Sequence, residues 1–201
     1  MNFGDHQVRE DCNLCREVSL AIGEKGEYGA VVICQVGDVD NRWLATLSPK
    51  TGGKVDRDFS IQLMPIKHLT HFAELADYPD LAKNYGLIFA KISAAMTKIM
   101  VEETADFVVD EKLRPRAVSV ATYGKCTNWQ EKKEHLHIKI YPFRDEMSQP
   151  CVCDSSFGRL EVHKDAESGN EFVKFDPVRK NMLSEERFNY LGKRLMELLN
   201  D

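Results

Sequence analysis

The sequence predicts an α+β fold built on a mostly antiparallel sheet, and three observations carry that expectation. Several short segments alternate apolar and polar residues, the period of half-buried strands. Two stretches carry helical spacing, one over 79–103 and one following Ser184. The strands succeed one another through turns more often than through crossover helices, which favours antiparallel pairing.

Taken in order, residues 30–36 and 43–48 read as strands around a turn from Gly37 to Asn41. Residues 49–54, rich in glycine and lysine, read as a loop. The alternating segment 58–65 is a strand closed by Pro65. Over 79–103, Leu81, Tyr85, Ile88, Phe89, Ile92, Met96 and Ile99 recur on one helical face. Residues 117–123 form a further strand, and a polar loop leads from it to a strand through His135, His137 and Lys139. Beyond Cys151, segments 159–163 and 171–175 flank a glycine-containing turn and read as a hairpin. Ser184 then caps a last helix with an apolar stripe of Phe188, Leu191, Leu195 and Leu198. We expect one unit over 1–150, with 151–201 as an elaboration packed on it, because a piece of about 50 residues is marginal alone.

A chain of 201 residues, 43% hydrophobic and 29% charged, has the composition of a globular protein with a core of its own. Its net charge of −5 argues against a protein built to coat nucleic acid. No apolar run approaches the roughly 20 residues of a membrane helix, and the first residues have no signal-peptide pattern. The expectation is a cytoplasmic protein with no membrane partner. Its six cysteines are then thiols or metal ligands rather than disulfides. Cys12 and Cys15 form a CxxC, and Cys151 and Cys153 a CxC. Cys34, within an apolar strand, reads as a small buried hydrophobe.

The chemistry concentrates on the histidine strand. Side chains alternate along a strand, so His135, His137 and Lys139 share one face, expected to be solvent-accessible, while Leu136, Ile138 and Ile140 face a core. A neutral imidazole can attack phosphorus and form a covalent intermediate. His137 is the better nucleophile because it lies between His135 and Lys139, whose charge disfavours the imidazolium and can neutralise phosphate. The preceding loop offers phosphate-binding groups: Lys125, Asn128, Gln130, Lys132 and Lys133. The rival reading is an edge strand with exposed polar residues.

The run His135-Leu136-His137-Ile138-Lys139-Ile140-Tyr141 resembles the signature of the histidine triad superfamily of nucleotide hydrolases and transferases. Cys12 and Cys15 are similar to the CxxC of its zinc-containing members. Leu47, Ser48 and Pro49 followed by 59–68 resemble its strand pair ending in Pro-x-x-His, and the long helix follows in the matching place. The resemblance spans roughly residues 10 to 145. It implies a nucleotidyl hydrolase or transferase in which His137 is nucleotidylated and the backbone carbonyl of His135 orients its ring. It also implies a structural zinc on Cys12, Cys15, His68 and His135, and a homodimer.

The departures from the family pattern are specific. Lys139 replaces the third histidine, Thr46 stands where hydrolases often hold ribose with Asp or Asn, and Lys132 aligns with a usual Ser or Thr. They put the identity of the nucleotide in question and leave two other readings open. One is a nucleotide-binding or regulatory protein that has lost turnover, and the other is a zinc-scaffolded interaction module. His71 rivals His68 as a ligand. A redox role for the CxxC and a second metal site at Cys151, Cys153 and His163 are further alternatives. Trp43 and Trp129 read as core anchors.

Overall fold

The computed structural model describes residues 9–10, 12–51, 55–56, 58–103, 118–123, 135–142, 160–164, 169, 171–175 and 181–200. Its centre is a five-stranded sheet of β1 (Val31–Val36), β2 (Trp43–Leu47), β4 (Ile61–Pro65), β5 (Val118–Tyr123) and β6 (His137–Pro142). The strand order is β1-β2-β4-β6-β5, and every neighbouring pair is antiparallel. The histidine strand β6 therefore lies between β4 and β5 rather than at an edge. A strand paired on both sides holds its side chains more rigidly than an edge strand can.

Register places one row of residues on each face. Ala45, Leu63 and Ile138 align, as do Leu47, Ile61 and Ile140. These residues face helix α2 (Pro79–Glu103), and all are buried. The long helix buries Leu81, Ile88, Ile92, Ala95, Met96, Ile99 and Met100, with Tyr85 and Phe89 half-buried at its margin. Pro79 opens it, where a missing backbone N–H costs nothing. Trp43 is fully buried, and its indole N–H donates to the Leu81 carbonyl at 2.7 Å, joining β2 to the start of α2.

Helix α3 (Glu185–Asn200) lies on the same face. Ser184 caps it by accepting from the Arg187 backbone N–H at 3.2 Å. Its Phe188, Leu191, Leu195 and Leu199 join the core of β1 and α2. Arg187 makes a two-pronged ion pair with Glu103 at 2.7 and 3.1 Å, tying α3 to the end of α2. Part of the loop expected after Pro49 is instead a short strand, β3 (Lys50–Thr51), paired with β9 (Asn181–Met182). That contact is non-local, so local residue types carry no signal for it. β7 (Leu160–Lys164) and β8 (Glu171–Phe175) form the expected hairpin.

The opposite face of the sheet is also covered. Helix α1 (Asn13–Glu17) and the chain after it pack Leu14, Val18 and Leu20 against Val32, Leu44 and Met64. Gln35 Nε2 donates to the Leu20 carbonyl at 2.7 Å, and Val32 exchanges backbone hydrogen bonds with Gly23 and Glu24 at 2.8 and 2.9 Å. This contradicts the expectation that the histidine face is solvent-accessible. His135 is 2% exposed, and His137 and Lys139 are half-buried. The cover is a tertiary contact from a segment more than a hundred residues away.

Two glycines make a test of the packing. Gly37, at φ +102°, opens the β1–β2 turn, and a β-carbon there would collide with the Asn41 carbonyl and the Asn84 amide. Gly86, on the exposed side of α2, has open space around it. Gly86→Ala should stabilise the protein by about 1 kcal/mol, whereas Gly37→Ala should destabilise it by more than about 1 kcal/mol. Urea unfolding of the two variants beside the parent chain checks both signs.

Candidate metal centre and histidine strand

Four side chains from three separate segments meet at one end of the sheet. Cys12 and Cys15 come from the start of α1, His68 from the turn after β4, and His135 from the residues leading into β6. All four are buried, and their donor atoms lie within 4.8 Å of one another. Cys15 Sγ is 3.1 Å from His68 Nδ1 and 3.3 Å from His135 Nδ1, and Cys12 Sγ is 3.9 Å from His135 Nδ1. A tetrahedral ion held by thiolate and imidazole at 2.0–2.3 Å sets its donors roughly 3.3–3.8 Å apart. The observed distances bracket that range closely, so the group could hold a metal ion after small side-chain shifts. Two sulfurs and two imidazoles complete a tetrahedron and leave no open position for substrate or water.

The backbone holds this arrangement in place. The Leu136 N–H donates to the Leu69 carbonyl at 2.6 Å, binding the turn after β4 to the start of β6. His135 Nε2 lies 2.8 Å from the Pro65 carbonyl. A carbonyl only accepts, so Nε2 carries the proton and Nδ1 turns its lone pair towards the cysteines, as in the outer hydrogen bonds of metal-bound histidines. The two thiols are electrostatically linked. Hydrogen bonding with Cys15 holds Cys12 far below the ordinary thiol range, against the opposing effect of burial. The same contact, with burial, pushes Cys15 up. One sulfur is thus disposed to be a thiolate, the form that binds metal.

His71 plays a different part. It caps a 3-10 turn over Phe72–Asp77, accepting from the Ala73 N–H at 3.1 Å. The buried Glu74 carboxylate takes hydrogen bonds from the Thr70 and His71 N–H groups and from the Thr70 hydroxyl. These contacts turn His71 away from the chain direction that carries His68 into the cluster. Cys12 and Cys15 bracket the first turn of a short helix. Helix α1 has only five residues, too few for a periodic apolar pattern to show it in the sequence.

Along β6 the next two residues on this face are His137 and Lys139. His137 Nδ1 lies 3.0 Å from the carbonyl of His135. In the neutral ring that contact places the proton on Nδ1 and the lone pair on Nε2. Lys139 stands in a row with Gln62 and Thr46 across β4 and β2, and all three line a cleft of about 250 Å³. Thr46 is 2% exposed. The far wall comes from Leu14 and Glu17 of α1 and from Tyr28. The proposed loop residues Asn128, Gln130 and Lys132 lie outside the described residues, as do Trp129, Cys151 and Cys153.

Glu17 was missed by sequence reasoning. It is 5% exposed, and burial, with the nearby charge of Glu27, pushes its carboxyl above the usual carboxylate range. A single glutamate between Arg16 and Val18 looks like a solvated residue in the sequence. Only the docking of α1 on the sheet turns it inward.

Comparison with known proteins finds no matching family model, no matching curated protein and no matching solved structure. No helix among the described residues is long and apolar enough to cross a membrane.

A direct test of the centre is metal analysis of protein from a metal-replete preparation. The parent chain and His71→Ala should retain a stoichiometric metal ion. Cys12→Ser with Cys15→Ser, and separately His68→Ala, should lose the ion and unfold at a lower temperature.

Proposed function

We infer that this chain is a nucleotidyl hydrolase or transferase of the histidine triad type, acting through a covalent intermediate on His137. The observation that carries this reading is His137 Nδ1 held by the His135 carbonyl at 3.0 Å, two residues along β6 from Lys139, which lines the cleft. Held so, the ring can direct Nε2 at a phosphorus atom without having to rotate or lose a proton first. Attack forms a phosphorus–nitrogen bond, and the bond to the leaving group breaks with its electron pair going to that group. Water or an acceptor phosphate then displaces His137 from phosphorus and restores the imidazole.

Lys139 suits the anionic part of such a substrate. The residue lines the cleft, and an ammonium there can offset charge on the non-bridging oxygens. Thr46 and Gln62 offer a hydroxyl and an amide on the same face. In this reading Cys12, Cys15, His68 and His135 would hold zinc, the ion that two thiolates and two imidazoles favour. It would pin α1, and with it one wall of the cleft, to the catalytic strand.

Lys139 also favours a second reading. A permanent cation in the third position of the motif cannot exchange a proton as a histidine does near neutral pH. A protein that binds nucleotides tightly and turns them over slowly, or not at all, follows from the same cleft.

The two readings separate in one experiment. The full chain is incubated with a panel of nucleoside polyphosphates and nucleoside phosphoramidates, then analysed by intact mass and by product formation. The enzyme reading expects a nucleotidyl adduct on His137 that is absent from His137→Ala, with product accumulating alongside it. Binding without any adduct or product rejects the enzyme in favour of the binding protein.

A further inference from the structure

Glu17 is a buried carboxylate of α1 that lines the cleft. Among the described residues none gives its side chain a hydrogen bond or an ion pair, although the residue is only 5% exposed. Burial of such a group is unfavourable unless donors reach it. The surrounding chain nevertheless makes room for it. A β-carbon at Gly26 would lie 2.6 Å from Glu17 Oε1 and 2.8 Å from its Cδ. Glycine at this position leaves the carboxylate its place, and a larger residue would push the Glu17 side chain aside. Gly26 is itself held in place, donating to the Ala30 carbonyl at 2.8 Å and accepting from the Gly29 N–H at 2.9 Å.

The rest of the cleft states what would satisfy the carboxylate. Lys139 and Lys50 line it with positive charge, and Leu14, Tyr28 and Pro49 line it with apolar surface. A matching ligand is anionic at one part, flat and apolar at another, and rich in hydrogen-bond donors where it meets Glu17. The volume of about 250 Å³ lies just below the usual small-ligand range of roughly 300–1,000 Å³, so it suits part of a nucleotide rather than all of one.

Resting on the nucleotidyl-transfer reading of the same site, we propose that Glu17 is the specificity-determining residue of the cleft and accepts two adjacent hydrogen-bond donors of the nucleotide. A carboxylate has two acceptor oxygens set side by side, so it pairs with two parallel donors and is left unsatisfied by one. Paired donors occur on a nucleotide in two places. The N1–H and N2–H₂ edge of guanine is one, and the ribose 2′,3′-diol is the other. Adenine sets a donor beside an acceptor and cannot satisfy both oxygens. A glutamine at this position would present one acceptor and one donor, the complement of adenine rather than guanine.

The test is calorimetric titration of the full chain and of Glu17→Gln with GMP, 2′-deoxy-GMP and AMP, with thermal unfolding of both proteins in parallel. The parent chain should bind GMP at least roughly tenfold tighter than one of the analogues, the cost of leaving a buried charged acceptor unpaired. A weaker AMP assigns the guanine edge, and a weaker 2′-deoxy-GMP assigns the diol. Glu17→Gln should lose roughly tenfold in GMP affinity while its Tm rises, since an unpaired buried charge has gone. Parent affinities within about twofold of one another, or an unchanged GMP affinity in Glu17→Gln, overturn the assignment and leave the nucleotide site standing. A lowered Tm with uniform loss of binding in the variant makes Glu17 structural and overturns it as well. Failure of all three nucleotides to bind the parent chain overturns both this assignment and the function on which it rests.

Discussion

The organising constraint is the convergence of Cys12, Cys15, His68 and His135 on one point at the end of the sheet. Each of three chain segments brings something else with it. The cysteines bring α1 and its apolar residues onto Val32, Leu44 and Met64. His68 brings the turn after β4, and His135 brings the start of β6. Without that junction, a helix of five residues has little reason to stay helical, since isolated short helices are unstable in water. Docked there, α1 closes the second face of the sheet and supplies one wall of the cleft.

The same junction sets the polarity of the site. His135 turns its Nε2 proton to the Pro65 carbonyl, and its own carbonyl lies against His137 Nδ1. One residue thereby links the buried cysteine–histidine group to the ring proposed as nucleophile. Its side chain belongs to the first and its backbone to the second. The side chain that would hold an ion and the carbonyl that fixes the His137 ring thus belong to the same residue. The position of β6 between two partners helps, because it removes the freedom that an edge strand would have kept.

Much of the frame was legible in advance because it is local. The spacing of Leu81, Ile88, Ile92 and Ile99 defines α2, the cap at Ser184 opens α3, and apolar runs or alternation bounded by turn residues mark the strands of the main sheet. The donor set of Cys12, Cys15, His68 and His135 came from the resemblance, and from the residues alone His71 stayed a rival to His68. Both are histidines three residues apart in one turn, and only the hydrogen bonds of Glu74 and the capping of the 3-10 turn separate their roles. The pairing of β3 with β9 was hidden for a similar reason, two residues being too few to carry a pattern.

The histidine strand shows where the division falls. Sequence by itself determined that His135, His137 and Lys139 share a face and that Leu136, Ile138 and Ile140 share the other, because strand geometry permits nothing else. It also determined the two long helices, whose periodic apolar stripes are self-evident. Only the tertiary structure decided that the histidine face is roofed, that His135 is buried and that Glu17 lies inside the cleft. The physical reason is that burial depends on what packs above a residue. Here that partner is a segment about 120 residues earlier in the chain, brought back by side-chain chemistry that no local pattern encodes.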